Sequence, residues 1–225
     1  MSATTARVAA LVLAAGQSAR MCGPNKLLLE IDGRPMLARV VDTILATPAR
    51  PVLVVTGHQA DAVRDVLGDC DVRFAHNTQH AEGIGASIRA GVRALEFTLD
   101  GVLVCLGDLP GLREESVEAL LAAFAPDRIC VPVHGGRRGH PVLFGQRFLP
   151  ELAQLSGDRG ARSILEDHPH AVCAVSIADE GVTFDVDSAD QLERARQMER
   201  ARQMERNGEH AALPRGQASP PVPRS

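Results

Sequence analysis

The stretch VAALVLAAGQSARMCGPNK, Val8 to Lys26, decides the fold. Its first half is apolar at every position. A half-buried strand alternates apolar and polar residues, whereas an unbroken run of this length belongs to a strand covered on both faces. The second half is a loop of small residues, Ala14, Ala15 and Gly16, followed by Ser18 and two cations, Arg20 and Lys26. A strand that runs straight into such a loop places it at the carboxyl end of a sheet, where open α/β sheets bind their ligands.

The same rhythm continues outward. Apolar runs at 52–56, 72–74, 101–106 and 129–133 read as further buried strands. Helical patterns at 35–46, 60–67, 85–95 and 114–124 separate them, with Pro35 suited to a first helical turn. Strands alternating with helices build βαβ units, so the expected class is α/β: three layers, α/β/α, around a mostly parallel sheet. After 133 the chain turns through a Gly-rich basic segment, 134–141, into a short strand at 142–144. Helical stretches near 145–155 and 161–166 follow, then strands at 171–176 and 182–186. A last helix starts near Ser188, whose hydroxyl with Gln191 three residues on makes a capping box. The hexamer ARQMER occurs twice in tandem, at 195–200 and 201–206, and reads as a solvated helix of no assigned role. From Asn207 onward Gly, Pro and Ser dominate, so one domain is expected over 1–206 and a disordered tail over 207–225.

Composition removes several function classes. The formal net charge is −4 and the chain has neither Trp nor Tyr, so neither the basic surface nor the stacking platforms of a nucleic-acid binder are expected. No apolar run is long enough for a membrane span, and residues 1–7 are too short and polar for a secretory signal, which leaves a cytoplasmic location as the expectation. The five cysteines show no CxxC spacing and argue against a zinc site or a disulfide framework. The pattern GxxxxGK[ST] is missing, and no GxGxxG follows the first strand, so the loop is neither a Walker loop nor a dinucleotide fingerprint.

What the loop does offer is backbone amides on small residues plus two fixed positive charges, the mixture a triphosphate requires. Asp108, in Gly107-Asp-Leu-Pro110 directly after the run at 101–106, sits where a carboxylate at a strand end can hold Mg²⁺ between phosphate oxygens. In Phe184-Asp-Val-Asp-Ser188, alternation puts Asp185 and Asp187 on one face, and two carboxylates so close need a cation or a donor between them. Asp187 is the better placed of the two; capping of the last helix is its other reading. Between Asn77 and Ser87, Gly83 and Gly85 allow a close backbone approach and Ser87 offers a hydrogen bond, or the stretch is equally a plain loop before a capped helix.

These strings together resemble the GT-A-like nucleotidyltransferases, whose signature is LAAGxSxRMGxxK, and within them the molybdenum cofactor cytidylyltransferases and their MobA-like relatives. The resemblance spans about residues 8–196. It implies a Rossmann-like nucleotidyltransferase fold, with Arg20, Lys26 and Asp108 in the catalytic role. It implies nucleotide contacts at Leu13, Ala14, Ala15, Gly16 and Ser18, and also at Asn77, Gly83 and Ser87. Asp108 and Asp187 would hold Mg²⁺, with Mn²⁺ as a substitute. The segment Arg138-Gly139-His140-Pro141 and the segment Asp158, Arg159 and Arg162 resemble the family's GHPVLF and GDxGAR stretches, which imply the acceptor site. LAAG accompanies cytidylyl transfer, so the resemblance implies CTP as donor, molybdopterin as acceptor, and a molybdenum hydroxylase (xanthine dehydrogenase-like) receiving the product. Guanylyl transfer from GTP, a sugar or polyol phosphate acceptor, and a non-catalytic cofactor-binding chaperone are the competing readings. One departure stands in the signature: Cys22 precedes Gly23 where the family has Gly directly after Arg-Met.

Overall fold

The computed structural model describes residues 6–17, 25–95 and 98–211, the side chains of 205–211 excepted. The assignments on Ser18, Arg20 and the Cys22–Gly23 departure lie outside the described residues. Strand β1 (Val8–Ala14) is the hub. It pairs in parallel with β4 (Val52–Thr56) on one side and β6 (Gly101–Leu106) on the other. Two minor strands, β2 (Glu30–Ile31) and β3 (Arg34–Pro35), form a hairpin of their own. Beyond β4 lies β5 (Arg73–His76); beyond β6 come β9 (Val142–Gly145), β7 (Ile129–His134) and β10 (Val172–Ser176). Strand β9 runs against both β6 and β7, whereas β7 and β10 are parallel, so the sheet is parallel apart from β9 and the short β8 (Arg137–Arg138) hairpinned to β7. The three-layer, mostly parallel α/β/α expectation holds.

The two-faced burial read from the apolar runs appears residue by residue. On β1, Val8, Ala10, Val12 and Ala14 pack into one core with α1 (Met36–Ala46), α2 (Ala60–Val66) and α4 (Glu114–Ala122). Ala9, Leu11, Leu13 and Ala15 pack into the other, with α3 (Ile84–Ala94), α5 (Leu149–Leu152) and α6 (Arg162–Asp167). The period of two in a strand makes this division, and every second side chain serves the opposite layer.

Three elements differ from expectation. The stretch expected as a strand at 182–186 has no sheet partner: a 3-10 turn, Glu180–Thr183, leads into an extended segment. Its apolar alternation has another cause, since Phe184 and Val186 are buried against Ile31, Met36, Leu192 and Ala195 rather than within the sheet. The helix expected over 145–155 is a 3-10 turn, Gln146–Phe148, and the four residues of α5. The β2–β3 hairpin was not expected, although Asp32-Gly33 announces it: both residues have positive φ, the geometry of a type I′ turn that Asp-Gly suits.

The last helix, α7 (Ala189–Ala211), continues past Arg206, where composition ended the folded part. Ser188 caps it, accepting a bond from the Gln191 amide at 3.3 Å, while Gln191 Oε1 accepts from the Asp187 amide at 2.8 Å, one residue earlier than in a standard box. The first ARQMER copy is a docking surface, not a solvated face. Ala195 is buried and the Glu199 carboxylate, 9% exposed, accepts from Arg39 of α1 at 2.5 Å. Six residues advance a helix by about 600°, so the second copy starts some 120° away from the first. Met204 of that copy is 74% exposed as a result, while its Arg202 bonds the Gly111 carbonyl at 2.6 Å. Among the described residues no helix is long and apolar enough to cross a membrane.

Candidate active site

The carboxyl ends of β1 and β6 open into a cavity of about 340 Å³. Leu13, Ala15 and Gly16 line it from β1, Leu106, Gly107 and Asp108 from β6, Gly83 and Ser87 from α3 and its approach, with Lys26 and Asp187 closing the side. Gly16 has open space where a side chain would stand, which leaves its backbone accessible. Ala14 was assigned to the nucleotide but is fully buried on the opposite face, packed in the α1 core. The strand period explains this: if Leu13 and Ala15 reach the cavity side, Ala14 cannot.

At the centre the Lys26 ammonium donates to Asp108 Oδ2 at 2.7 Å and to Asp187 Oδ1 at 2.6 Å. The three residues come from far apart in the chain, and each is brought by its own device. Asn25 caps the 3-10 turn Lys26–Leu28 by accepting from the Leu27 amide at 3.1 Å. Asp108 follows the end of β6, and its carbonyl accepts from the Val186 amide at 3.1 Å. That bond ties the segment carrying Asp187 beside Asp108. Asp187, and not Asp185, reaches the cavity. The two bonded carboxylate oxygens can lie no further apart than the two bonds laid end to end. At about 5 Å, two unit charges repel by roughly 3 kcal/mol at an effective dielectric of about 20. The lysine removes that repulsion. Burial alone would lower its pKa, but Asp108 and Asp187 outweigh burial and hold the pKa above its ordinary value.

A divalent cation fits this donor set. Among the described residues Asp108 Oδ1 is buried without a hydrogen-bond partner, which leaves it able to take a cation. No cluster of three or more His, Cys, Asp or Glu side chains exists among the described residues. Two carboxylates suit Mg²⁺, which keeps several waters and takes its remaining ligands from phosphate oxygens.

Of the residues expected at the nucleoside, Gly83 and Ser87 line the cavity, whereas Asn77 does not. Asn77 is buried behind the cavity wall, where Nδ2 donates to Ser87 Oγ at 3.1 Å and Oδ1 accepts from the Gln79 amide at 2.9 Å. It positions Ser87. Asn77→Ala leaves the Ser87 hydroxyl and the Gln79 amide without their partner and is expected to cost about 1–3 kcal/mol, measurable as a shift of the urea midpoint at constant slope. Gly83 has φ +106°, and a Cβ there would stand 2.2 Å from Asp158 Oδ1; a Cβ on Gly85 would stand 2.7 Å from the Ser156 carbonyl. Both glycines therefore permit the close approach of the 156–158 loop to α3, and Gly83 keeps its place in the cavity wall.

That loop borders a second cavity, of about 690 Å³, which shares Leu13, Ile84 and Leu106 with the first. Arg138, Gly139, His140, Asp158, Arg159 and Arg162 all line it, brought together from two separate stretches of sequence, over a floor that includes Ile88, Val104 and Phe144. Pro141 is buried just behind. Burial lowers the His140 pKa against the opposing pull of Asp108, so the ring is neutral at neutral pH, and its Nδ1 is buried without a partner. Arg159 and Arg162 both bond Glu166, the latter at 3.1 Å.

Two wall residues escaped the sequence reading. His80 lines the first cavity with a buried, unpartnered Nδ1, its ring tilted 6.2 Å from that of His58; a lone histidine in a loop carries no motif. Glu166 is the other, and its spacing of four from Arg162 was the available signal.

Similarity to known proteins extends over most of the chain. Nicotine blue oxidoreductase of Paenarthrobacter nicotinovorans is 33% identical over 195 residues, covering 83% of this chain and 95% of that protein. Purine catabolism protein PucB of Bacillus subtilis (strain 168) is 32% identical over 190 residues, 80% of this chain and 92% of that protein. In three dimensions, a nucleotidyl transferase from Methanothermobacter thermautotroptrophicus shares the fold with a TM-score of 0.78 at 23% identity, covering 87% of this chain and 99% of that one. The MobA-like NTP transferase domain matches residues 10–172, which contain most of β1 and the loop after it, Lys26, Asp108 and both arginine-bearing segments of the second cavity. With that match spanning most of the folded chain, the protein belongs to the MobA-like NTP transferase family and is a nucleotidyltransferase.

Proposed function

We propose that the protein transfers CMP from CTP to the terminal phosphate of the molybdenum cofactor, releasing pyrophosphate and forming the cytosine dinucleotide of molybdopterin. The observation that carries this reading is the pair of adjoining cavities. One is walled by Lys26, Asp108 and Asp187, the other is rimmed by Arg138, Arg159 and Arg162, and they meet at Leu13, Ile84 and Leu106. Two anionic substrates, one in each, would react across that shared wall.

In the reaction, an oxygen of the acceptor phosphate attacks the α-phosphorus of CTP. The new P–O bond forms as the bond to the β-phosphate oxygen breaks, and pyrophosphate leaves in line. The attacking oxygen is already anionic, so no strong general base is needed; the protein's work is positioning and charge neutralisation. Lys26 and Arg20 neutralise the triphosphate, and the Gly16 backbone with Ser87 seats the nucleoside. Arg138, His140, Asp158, Arg159 and Arg162 hold the acceptor. Asp108 and Asp187 would hold Mg²⁺, or Mn²⁺ in its place, which supplies further charge neutralisation on the phosphate oxygens. The choice of CTP follows the Leu13-Ala-Ala-Gly16 string, and a molybdenum hydroxylase in the cytoplasm is the expected recipient of the product.

Pyrophosphate release is to be measured with each of the four NTPs, Mg²⁺ and molybdenum cofactor. Release with CTP at least tenfold above the others is the expected result, a gap of about 1.4 kcal/mol. A preference for GTP would move the assignment to guanylyl transfer, and turnover only with a sugar or polyol phosphate would move the acceptor. Tight cofactor binding with no release from any NTP would leave a carrier protein. The oxidoreductase among the relatives supplies a redox alternative; turnover of nicotine blue without pyrophosphate release would favour it.

A further inference from the structure

Lys26 is the only lysine in the 225-residue chain; every other fixed side-chain cation is an arginine. Its ammonium lies between Asp108 and Asp187, with the side chain 13% exposed. We propose that Lys26 is the resident counter-ion of the two carboxylates, displaced when a divalent cation arrives, and that its release hands the ammonium to the triphosphate. The proposal rests on the reading of this cavity as the nucleotide site.

The chemistry of the residue type supports it. An ammonium is a compact point charge that can sit between two carboxylates and leave on a flexible stem, whereas a guanidinium is a planar fork that locks onto one carboxylate through two bonds. A divalent cation needs oxygens at about 2.0–2.1 Å in near-octahedral array. Two oxygens already bonded to one ammonium at 2.7 and 2.6 Å cannot adopt that array until the ammonium moves. Asp108 Oδ1, buried on the same carboxylate and without a hydrogen-bond partner among the described residues, gives the incoming cation a first foothold while Oδ2 is still held. The freed lysine remains tethered through a turn that Asn25 caps, so its reach is confined to the cavity it lines.

Such an exchange makes the two ligands cooperative. The metal alone must displace a bonded cation, and the nucleotide alone must draw the lysine off two carboxylates that would then repel. Each ligand removes the other's cost, and the coupling is reciprocal.

Because there is one lysine, nitrogen-15 lysine labelling of the full chain gives one side-chain ammonium signal. It is to be followed with Mg²⁺ alone, with CTP in EDTA, and with both. The expected result is a protected ammonium in the free protein, loss or a large shift of that signal with saturating Mg²⁺, and a third position with both ligands. A signal unmoved by Mg²⁺ would overturn the proposal. A shift with Mg²⁺ but none on adding any NTP would keep the exchange and refute the nucleotide reading instead. In parallel, Mn²⁺ affinity is to be measured by electron paramagnetic resonance with and without CTP. In the wild type, CTP should tighten Mn²⁺ within the roughly 5–150-fold range of ordinary two-ligand coupling. Lys26→Met should bind Mn²⁺ more tightly than wild type without CTP and show little further gain with it. Equal Mn²⁺ affinity in the two proteins, strong or absent, would count against the exchange.

Discussion

Replacement of Asp108 by Asn is expected to lower kcat for pyrophosphate release by about 10²–10³, or more, with the fold intact. The substitution keeps the side chain's shape and one oxygen for Lys26, and the Asp108 carbonyl that ties down Val186 is untouched. What disappears is the negative charge at Oδ1, the buried oxygen that has no hydrogen-bond partner among the described residues. A group placed where charge changes during reaction acts in a site with little water, where its contribution is far larger than in solution. Turnover and its Mg²⁺ dependence are the measurements, with circular dichroism as the check on folding. Activity within tenfold of wild type would remove Asp108 from the chemistry. Asp187, with its side chain 30% exposed, should lose less on the same change.

Phe144→Ala carries the largest expected effect on stability, about 3–5 kcal/mol. Phe144 is fully buried on β9, the strand that runs against its neighbours, in register with Val102 of β6 and Ile129 of β7. Its ring packs in the core under α3 and α5 and also forms part of the floor of the second cavity. Removing it costs the transfer free energy of the ring and leaves a void that a sheet bonded on both sides cannot close. Urea unfolding measures the loss; a cost below about 1.5 kcal/mol would show that the neighbouring side chains collapse into the space. The same variant should weaken acceptor binding more than nucleotide binding, because the first cavity does not include Phe144.

The apolar runs and the loop after the first strand were legible in the sequence because both are local patterns. An unbroken run such as Val8 to Ala14 has no polar face to offer solvent, so it must lie between two layers, and the helical patterns between such runs supply those layers. Where local pattern and cause diverged, the reading failed. The alternation around Phe184 and Val186 looked like a strand, but burial alternates in any extended segment that lies over a core, and this one packs on the β2–β3 hairpin and α7. Gly83 and Gly85 looked like room for a ligand alone; Gly83 does line the cavity, but both also make room for the 156–158 loop. The repeated hexamer looked like solvated surface, because a composition of charged residues does not disclose that Glu199 has Arg39 opposite it.

By itself, the sequence determined the α/β class and singled out the candidate residues for the chemistry, since those follow from residue type and from spacing along a few turns of chain. The tertiary structure alone decided that one lysine would stand between Asp108 and Asp187, residues 82 and 161 positions away from it. It also decided that Ala14 would face away from the cavity and that two arginine-bearing segments would share one rim with His140. The physical reason is range. Periodicity is set by backbone geometry over a few residues, whereas the meeting of charges depends on the crossovers that carry distant strand ends to one edge of the sheet, and no local pattern encodes where those crossovers end.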